Sequence, residues 1–99
     1  MSEASLDPED IAVRLRAELA AVDTELPPDD LASIRVLVDA GEWVVALETL
    51  CTQIYEYDVT LRNAQRSSLT ELGRALGVPV PYLLGDPWAS RDGADDSCD

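Results

Sequence analysis

Pairs of carboxylates are the residues of this chain whose type and spacing could do chemistry. Four pairs stand close together in the sequence: Glu9/Asp10, Asp29/Asp30, Glu56/Asp58 and Asp95/Asp96. Two carboxylates act as general acid and base only when an apolar pocket raises the pKa of one of them. The first two pairs fall at expected helix N-termini, where capping accounts for them, and only the third lies among tyrosines. The sequence therefore predicts no catalytic residue and no enzyme.

The absence of histidine removes the usual partner of a nucleophile or a metal ion. Without it, neither a Ser-His-Asp triad nor a Cys-His pair can form. The two cysteines, Cys51 and Cys98, lack Cys-x-x-Cys spacing and cannot complete a zinc site. No stretch matches a calcium-binding loop. We expect no metal and no cofactor, with both cysteines as reduced thiols and Cys51 as a small apolar residue of the core.

Charge limits the classes of partner. Twenty acidic side chains against seven arginines give a formal net charge of −13 and a pI near 4.1. Residues 1–60 carry a net charge of −11 and residues 86–99 carry −4, whereas residues 61–85 carry +2. Such a surface repels phosphate backbones and anionic membranes and attracts basic partners, so we expect neither nucleic-acid nor membrane binding. The acidic N-terminal residues differ from a leader, and no apolar run approaches the ~20 residues of a membrane span, which favours a cytoplasmic protein.

Two apolar stripes with helical spacing precede residue 41. The first is Ile11, Leu15, Leu19 and Val22, and the second is Leu31, Ile34, Leu37 and Val38. A proline followed by two acids opens each helix, at Pro8 and at Pro28, and residues 25–28 are expected to end the first helix. Gly41 is expected to end the second helix in the left-handed conformation, with a third helix starting near Glu42.

The third helix has two faces of different character. At 100° per residue, the predicted core face carries Trp43, Leu47, Leu50, Ile54 and Tyr57, with Ala46 and Cys51 beside them. The opposite face carries Val45, Glu48, Thr52, Tyr55 and Glu56. Val45 and Tyr55 are hydrophobic residues that the core does not require, so this face is a candidate binding surface.

A fourth helix and a short fifth turn complete an all-α domain. Thr60 is expected to cap a helix marked by Leu61, Leu69, Leu72 and Leu76, which Gly77 ends. Prolines favour a turn-like segment over residues 78–81, followed by one helical turn over residues 82–84. The sequence thus predicts a small four-helix bundle-like domain with a short fifth C-terminal helical turn over residues 7–86. A flexible N-terminus, residues 1–6, and a disordered acidic tail, residues 87–99, are expected on either side.

Residues 68–86 resemble the last two helices of phage-repressor helix-turn-helix domains, through Leu76-Gly77-Val78 and Leu83-Leu84. In that family the DNA-reading helix precedes these two, so the third helix would take that role here. Its outer face carries Glu48 and Glu56, which repel phosphate groups. A degenerate repressor-like protein is therefore kept only as an alternative.

A longer pattern covers the middle of the chain, residues 30–78. An apolar helix end is followed by Gly41-Glu42, by Ala46-Leu47-Glu48-Thr49-Leu50-Cys51, by Tyr55-Glu56-Tyr57-Asp58, and by the helix end Glu71–Gly77. In order and spacing, this pattern resembles small bacterial immunity proteins of the MafI type, which neutralise the toxins of polymorphic and contact-dependent inhibition systems. After Val78, the Pro-x-Pro segment and the acidic tail depart from that family.

The resemblance implies a non-enzymatic protein that binds a cognate toxin domain, and the acidic composition suits a basic toxin such as a nuclease. We predict that Tyr55 is the aromatic anchor of the contact and that acids supply charge. The predicted contact residues are Val45, Glu48, Thr52, Tyr55, Glu56 and Asp58. The other hypothesis is an acidic adaptor or self-associating module that uses Val45 and Trp88. The oligomeric state and the identity of the toxin stay open.

Overall fold

The computed structural model describes residues 7–86, and all of the regular structure in that range is helical. The helices are α1 (Pro8–Ala21), α2 (Pro28–Asp39), α3 (Trp43–Glu56), α4 (Asn63–Leu76) and α5 (Val80–Leu83). The predicted all-α architecture of four helices and a short fifth turn is confirmed. The predictions for residues 1–6 and 87–99, including those for Trp88 and Cys98, lie outside the described residues.

α3 is central, because it packs against each of the other four helices. The apolar stripes predicted for α1 and α2 are buried as expected, apart from Leu37, which is partly buried against the core. One continuous cluster of buried residues joins the five helices: Ile11, Leu15, Leu19, Val22, Leu26, Leu31, Ile34, Val38, Ala46, Leu47, Leu50, Cys51, Ile54, Leu69, Leu72, Val78 and Val80. The central position of α3 leaves only its outer face open to solvent.

The prediction that Tyr57 belongs to the core face of α3 is wrong. The helix ends at Glu56, and Tyr57 lies at the C-cap with φ −94° and ψ 8°. The 100° periodicity used to place its side chain no longer holds there. The side chain is 49% exposed and lies near enough to Asp30, close to the start of α2, for that carboxylate to raise the pKa of the phenol.

α1 ends earlier than residues 25–28. The amides of Val22, Asp23 and Glu25 donate to carbonyls three residues back, at 3.2, 3.4 and 2.9 Å, which tightens the chain into a turn directly after Ala21. This turn buries Leu26 in the core. The prolines therefore follow the turn rather than end the helix.

α4 begins later than predicted, with Arg62 rather than Thr60 at its N-cap. The amide of Arg62 donates to Gln65 Oε1 at 2.8 Å, which satisfies one of the amides that a helix start leaves unpaired. Leu61, expected inside the helix, precedes it and packs partly buried against the core. Leu61 thus holds the segment between α3 and α4 against the core and is not part of α4.

Left-handed glycines end α2 and α4 as predicted. Gly41 has φ +79°, with its amide donating to the Val38 carbonyl at 3.0 Å, and Gly77 has φ +75°. α5 then starts at Val80, two residues before the predicted turn, since Pro81 lies in its first turn, where a missing amide costs no hydrogen bond.

A third glycine, Gly73, allows α5 to lie close to α4. It is buried in the interior of α4, and its carbonyl accepts a hydrogen bond from the Val78 amide at 2.8 Å. A Cβ on Gly73 would lie 2.5 Å from the Val78 carbonyl oxygen and 2.6 Å from Val80 Cγ2. This close approach positions α5, and the residues that follow it, beside α3.

Candidate partner-binding surface

The predicted contact residues lie together along the solvent side of α3 and its C-terminal turn, and we call this set the α3 strip. It consists of Val45, Glu48, Thr52, Tyr55, Glu56 and Asp58, all of which are exposed. Helical geometry places the first five within a sector of about 100°. The strip combines two hydrophobic side chains, Val45 (44% exposed) and Tyr55 (59% exposed), with three carboxylates.

Tyr55 is held in position by its contact with Gly85. A Cβ on Gly85 would lie 2.5 Å from Tyr55 Cε1 and 2.8 Å from Tyr55 Cδ1, so the ring occupies the space that a side chain would take. Gly85 also has φ +92°, a conformation that disfavours other residues. The ring is therefore supported from the side while its outer part stays in solvent.

Two grooves lie on either side of Tyr55. The larger, of about 400 Å³, is open to solvent and is lined by Thr52, Tyr55, Tyr82, Leu83, Gly85 and Asp86. The smaller, of about 170 Å³, is lined by Ile54, Tyr55, Asp58, Val59, Leu61, Arg66 and Leu84. Tyr55 thus forms a ridge that a partner with two projecting side chains could straddle.

Asp58 closes the C-terminal end of the strip in an unusual backbone conformation. It has φ +55°, the one positive φ of a residue other than glycine within residues 7–86. Its amide donates to the Tyr55 carbonyl at 3.1 Å, and the next amide, of Val59, donates to the Ile54 carbonyl at 3.0 Å. These bonds close α3 as a left-handed C-terminal cap, which fixes the direction in which the carboxylate leaves the helix.

Acidic groups also surround the neighbouring tyrosine. The charge of Asp30 is the largest cause that raises the pKa of Tyr57 above its ordinary value, followed by partial desolvation, the hydrogen bond with Asp30 and the charge of Glu56. The phenol therefore stays protonated at neutral pH. A shallow groove of about 290 Å³ beside it is lined by Glu25, Tyr57, Asp58, Val59 and Thr60. The end of the strip is accordingly negative toward Glu25 and Tyr57, whereas Arg66 lies in the groove that Asp58 shares with Tyr55.

The opposite wall of the larger groove was not predicted from the sequence. Tyr82, Gly85 and Asp86 come from α5 and the turn after it, and they approach the strip only because α5 packs against both α3 and α4. Only their residue types indicated a surface position, because a tyrosine and an aspartate on either side of a glycine are not expected in the core. Nothing in the spacing related them to Tyr55.

Cys51 is the one cysteine within residues 7–86, and its surroundings are apolar. Burial, with a smaller contribution from the charge of Glu18, raises the pKa of the Cys51 thiol to about 12, so the thiol is neutral and a poor nucleophile. Cys51 is fully buried, which confirms the prediction that it acts as a core residue. Among residues 7–86, no group of three or more cysteines and carboxylates could hold a metal ion.

A polar cluster joins α1 to α4 on another side of the molecule. Arg14 Nη2 donates to Ser68 Oγ at 3.1 Å and to Glu71 Oε1 at 3.2 Å, and the Ser68 hydroxyl donates to the Glu18 carboxylate. Each polar group in the cluster has a partner, which is typical of a structural contact between helices. No helix in the described part of the chain has both the length and the apolar character to cross a bilayer.

Comparisons with known proteins give no relative for this chain. No family model, no curated protein and no solved structure matches it.

Proposed function

We propose that this protein is an immunity protein that binds and neutralises a cognate bacterial toxin domain through the α3 strip. The proposal rests on the MafI-type pattern of residues 30–78 and is carried by one structural observation. That observation is the exposed tyrosine Tyr55, supported by Gly85 and bordered by carboxylates. The proposal includes no catalysis by the chain itself and places the binding in the cytoplasm.

The anchor is already in place before any partner binds. Binding residues that must be ordered on association cost about 0.5–1.5 kcal/mol for each rotamer-rich side chain. The contact with Gly85 removes part of this cost for Tyr55, because it restricts the ring in the free protein. Exposed aromatic residues with a fixed orientation are the type of residue that dominates binding energy at protein interfaces.

The carboxylates favour a basic partner. Glu48, Glu56 and Asp58 lie on the strip, and Asp86 lines the groove beside Tyr55. In a chain of net charge −13, they add a local negative field that attracts a basic toxin domain and speeds its association. A nuclease whose active site binds phosphates is the class of toxin that this charge suits best.

The test is co-expression with the C-terminal domain of the protein that the gene directly upstream encodes, followed by purification of a stoichiometric complex. Tyr55→Ala/Glu56→Arg is expected to lower the affinity at least about a hundredfold, since it removes the anchor and reverses one charge. Val13→Ala/Glu9→Arg removes an exposed hydrophobic side chain and makes the same charge reversal on α1, and it is the matched control. An affinity of the strip variant equal to that of the control would reject this interface.

A self-associating module is the second candidate, because Val44 and Val45 are exposed side by side at the start of α3. The two candidates differ in a measurement on the protein alone. Self-association through this face would make the mass in solution depend on concentration, and Val45→Asp would abolish that dependence. The immunity proposal predicts no such effect of this substitution on the mass of the free chain.

A further inference from the structure

We propose that the arginine-bearing side of α4 is a binding surface for acidic peptide, and that its occupant is the aspartate-rich segment of this chain, residues 87–99. The surface consists of Arg62, Arg66 and Arg74, and we call it the arginine face. The inference does not depend on the proposed function, since it needs no toxin, although the two surfaces meet where Arg66 shares a groove with Tyr55 and Asp58.

The three arginines are exposed and lie on one side of α4 and its N-cap. A spacing of eight residues keeps Arg66 and Arg74 within about 80° around the helix axis, and Arg62 stands at the N-cap, four residues before Arg66. No ion pair among residues 7–86 involves any of them. Glu71, the single carboxylate of α4, pairs instead with Arg14 of α1 at 3.2 Å.

Of the other arginines in the described range, Arg14 and Arg16 form ion pairs, and Arg35 forms none but shares α2 with three aspartates, Asp29, Asp30 and Asp39. α4 and its N-cap instead carry three arginines and one glutamate. The arginine face is therefore a local positive region on a surface that is otherwise strongly negative. An anionic segment is repelled from the other faces and attracted to this one.

Residues 87–99 have the composition to bind there. They contain four aspartates and one arginine, and the aspartates are Asp92, Asp95, Asp96 and Asp99. The distance between Arg66 and Arg74 along the helix is about 12 Å. Asp92 to Asp99 spans up to about 25 Å when extended, so the aspartates can cover the whole face.

The described chain also ends close to the face. Leu84 and Arg66 line the same small groove, and Asp86 is only two residues beyond Leu84. At the other end of the face, Arg74 lines a groove with Pro79 and Pro81, on either side of the start of α5. The described chain therefore passes Arg66 at Leu84 and ends at Asp86, which lines the larger groove with Thr52 and Tyr55.

Covalent connection makes weak attraction sufficient. A short tether gives an effective concentration in the millimolar range, so a segment with a Kd of about 1 mM is bound in roughly half of the molecules. Binding would cover the positive face and leave the outside of the protein uniformly acidic. It would also prevent the α3 strip of one copy from pairing with the arginine face of another.

The test uses the full chain with a nitroxide attached at Cys98, and it measures the broadening of backbone amide signals. Cys51 does not compete for the label, because it is fully buried and its thiol pKa is raised to about 12. At ~0.02 M salt, we expect the amides of residues 66–74 to relax at least about threefold faster than those of α2. Raising the salt to ~1 M, where the Debye length is about 3 Å, is expected to abolish the difference.

Substitutions identify the groups responsible. Arg66→Gln/Arg74→Gln is expected to remove the difference, Arg66→Lys/Arg74→Lys to keep most of it, and Arg35→Gln, the matched control on α2, to leave it unchanged. Unfolding curves show whether each variant folds. If the glutamine variant does not fold, the salt series on the unsubstituted chain decides.

Three results would overturn the proposal. The first is equal broadening over all helices, or broadening centred on another face. The second is a difference that persists at high salt or in the folded glutamine variant. The third is broadening of residues 66–74 in isotope-enriched chains that carry no label, when they are mixed with spin-labelled chains. The segment bound at the arginine face would then belong to a second copy.

Discussion

Replacing Gly73 by alanine should destabilise the protein, although the same change in most helices stabilises it. A Cβ at this position would lie 2.5 Å from a backbone oxygen, that of Val78, and 2.6 Å from Val80 Cγ2. The oxygen cannot rotate away as a side chain could. The chain at Val78 is moreover tied to α4 by the 2.8 Å hydrogen bond from its amide to the Gly73 carbonyl.

The magnitude follows from two opposing effects. Alanine in the interior of a helix is favoured over glycine by about 0.5–1 kcal/mol. Forcing an extra carbon into a well-packed core costs about 1–3 kcal/mol, and a backbone obstacle favours the upper part of that range. We therefore expect Gly73→Ala to lower the free energy of unfolding by about 1–2 kcal/mol, a fall in Tm of roughly 5–15 °C for a domain of this size.

Thermal unfolding followed by circular dichroism measures this effect, with Gly77→Ala as the matched control. A Cβ on Gly77 would meet no atom within 4 Å, and the strain of its φ of +75° is the only cost, about 1 kcal/mol. Adding Val80→Ala to each variant distinguishes the two causes in a double-mutant cycle. Gly73→Ala/Val80→Ala should be more stable than the sum of the two single changes predicts, by about 0.5–1 kcal/mol, because the clash with Val80 Cγ2 is gone. Gly77→Ala and Val80→Ala should be additive.

A rise in Tm for Gly73→Ala would refute the argument, because it would mean that α5 does not lie against this glycine. Strict additivity with Val80→Ala would refute the part that concerns the side-chain contact. Since α5 also provides Tyr82 for the larger groove, the same variant is expected to weaken toxin binding if the α3 strip is the interface.

Three further substitutions test other parts of the structure. Asp58→Gly removes a side chain from a left-handed residue with φ +55° and should raise the free energy of unfolding in urea by about 0.5–1 kcal/mol. The same variant should weaken toxin binding, and a lower free energy of unfolding would contradict the cap geometry. Ser68→Ala removes the hydroxyl that bonds to Arg14 and Glu18 and should lower the free energy of unfolding by about 1 kcal/mol. Ser67→Ala, at an exposed neighbouring position, should cause no measurable change. Because burial raises the pKa of Cys51 from 9.0 to about 12, the unfolded thiol ionises first, so stability falls as the pH rises through that interval. Between pH ~8 and pH ~10.5, the urea midpoint of unfolding should fall less for Cys51→Ala than for the unsubstituted protein. An equal fall in the two proteins would exclude ionisation of Cys51 as the cause.

The apolar stripes and the helix ends at Gly41 and Gly77 follow from local sequence. A helix repeats every 3.6 residues, so the spacing of Leu15, Leu19 and Val22 already determines which side faces the core. A left-handed residue is accessible chiefly to glycine, so its position predicts where a helix ends. These features depend on neighbours within one or two turns, and sequence analysis can therefore find them.

The outer face of α3 was equally accessible to this reasoning. Once the core side of the helix is known, Glu48, Thr52 and Tyr55 must lie opposite to it, and each of them is exposed. The reasoning failed one residue beyond the helix. Tyr57 takes a different backbone conformation, and its side chain turns to Asp30, which is far away in the sequence.

Tertiary structure alone determined which distant residues meet. The support of Tyr55 by Gly85 joins residues thirty positions apart, and Glu71, the one carboxylate of α4, pairs with Arg14 of α1 and with no arginine of the arginine face. Both depend on how α4 and α5 pack around α3, where close approach is set by the shapes of several helices at once. Periodicity describes one helix at a time and carries no information about such contacts. The sequence by itself therefore determined the helices and their apolar sides, whereas packing determined the surface that they form.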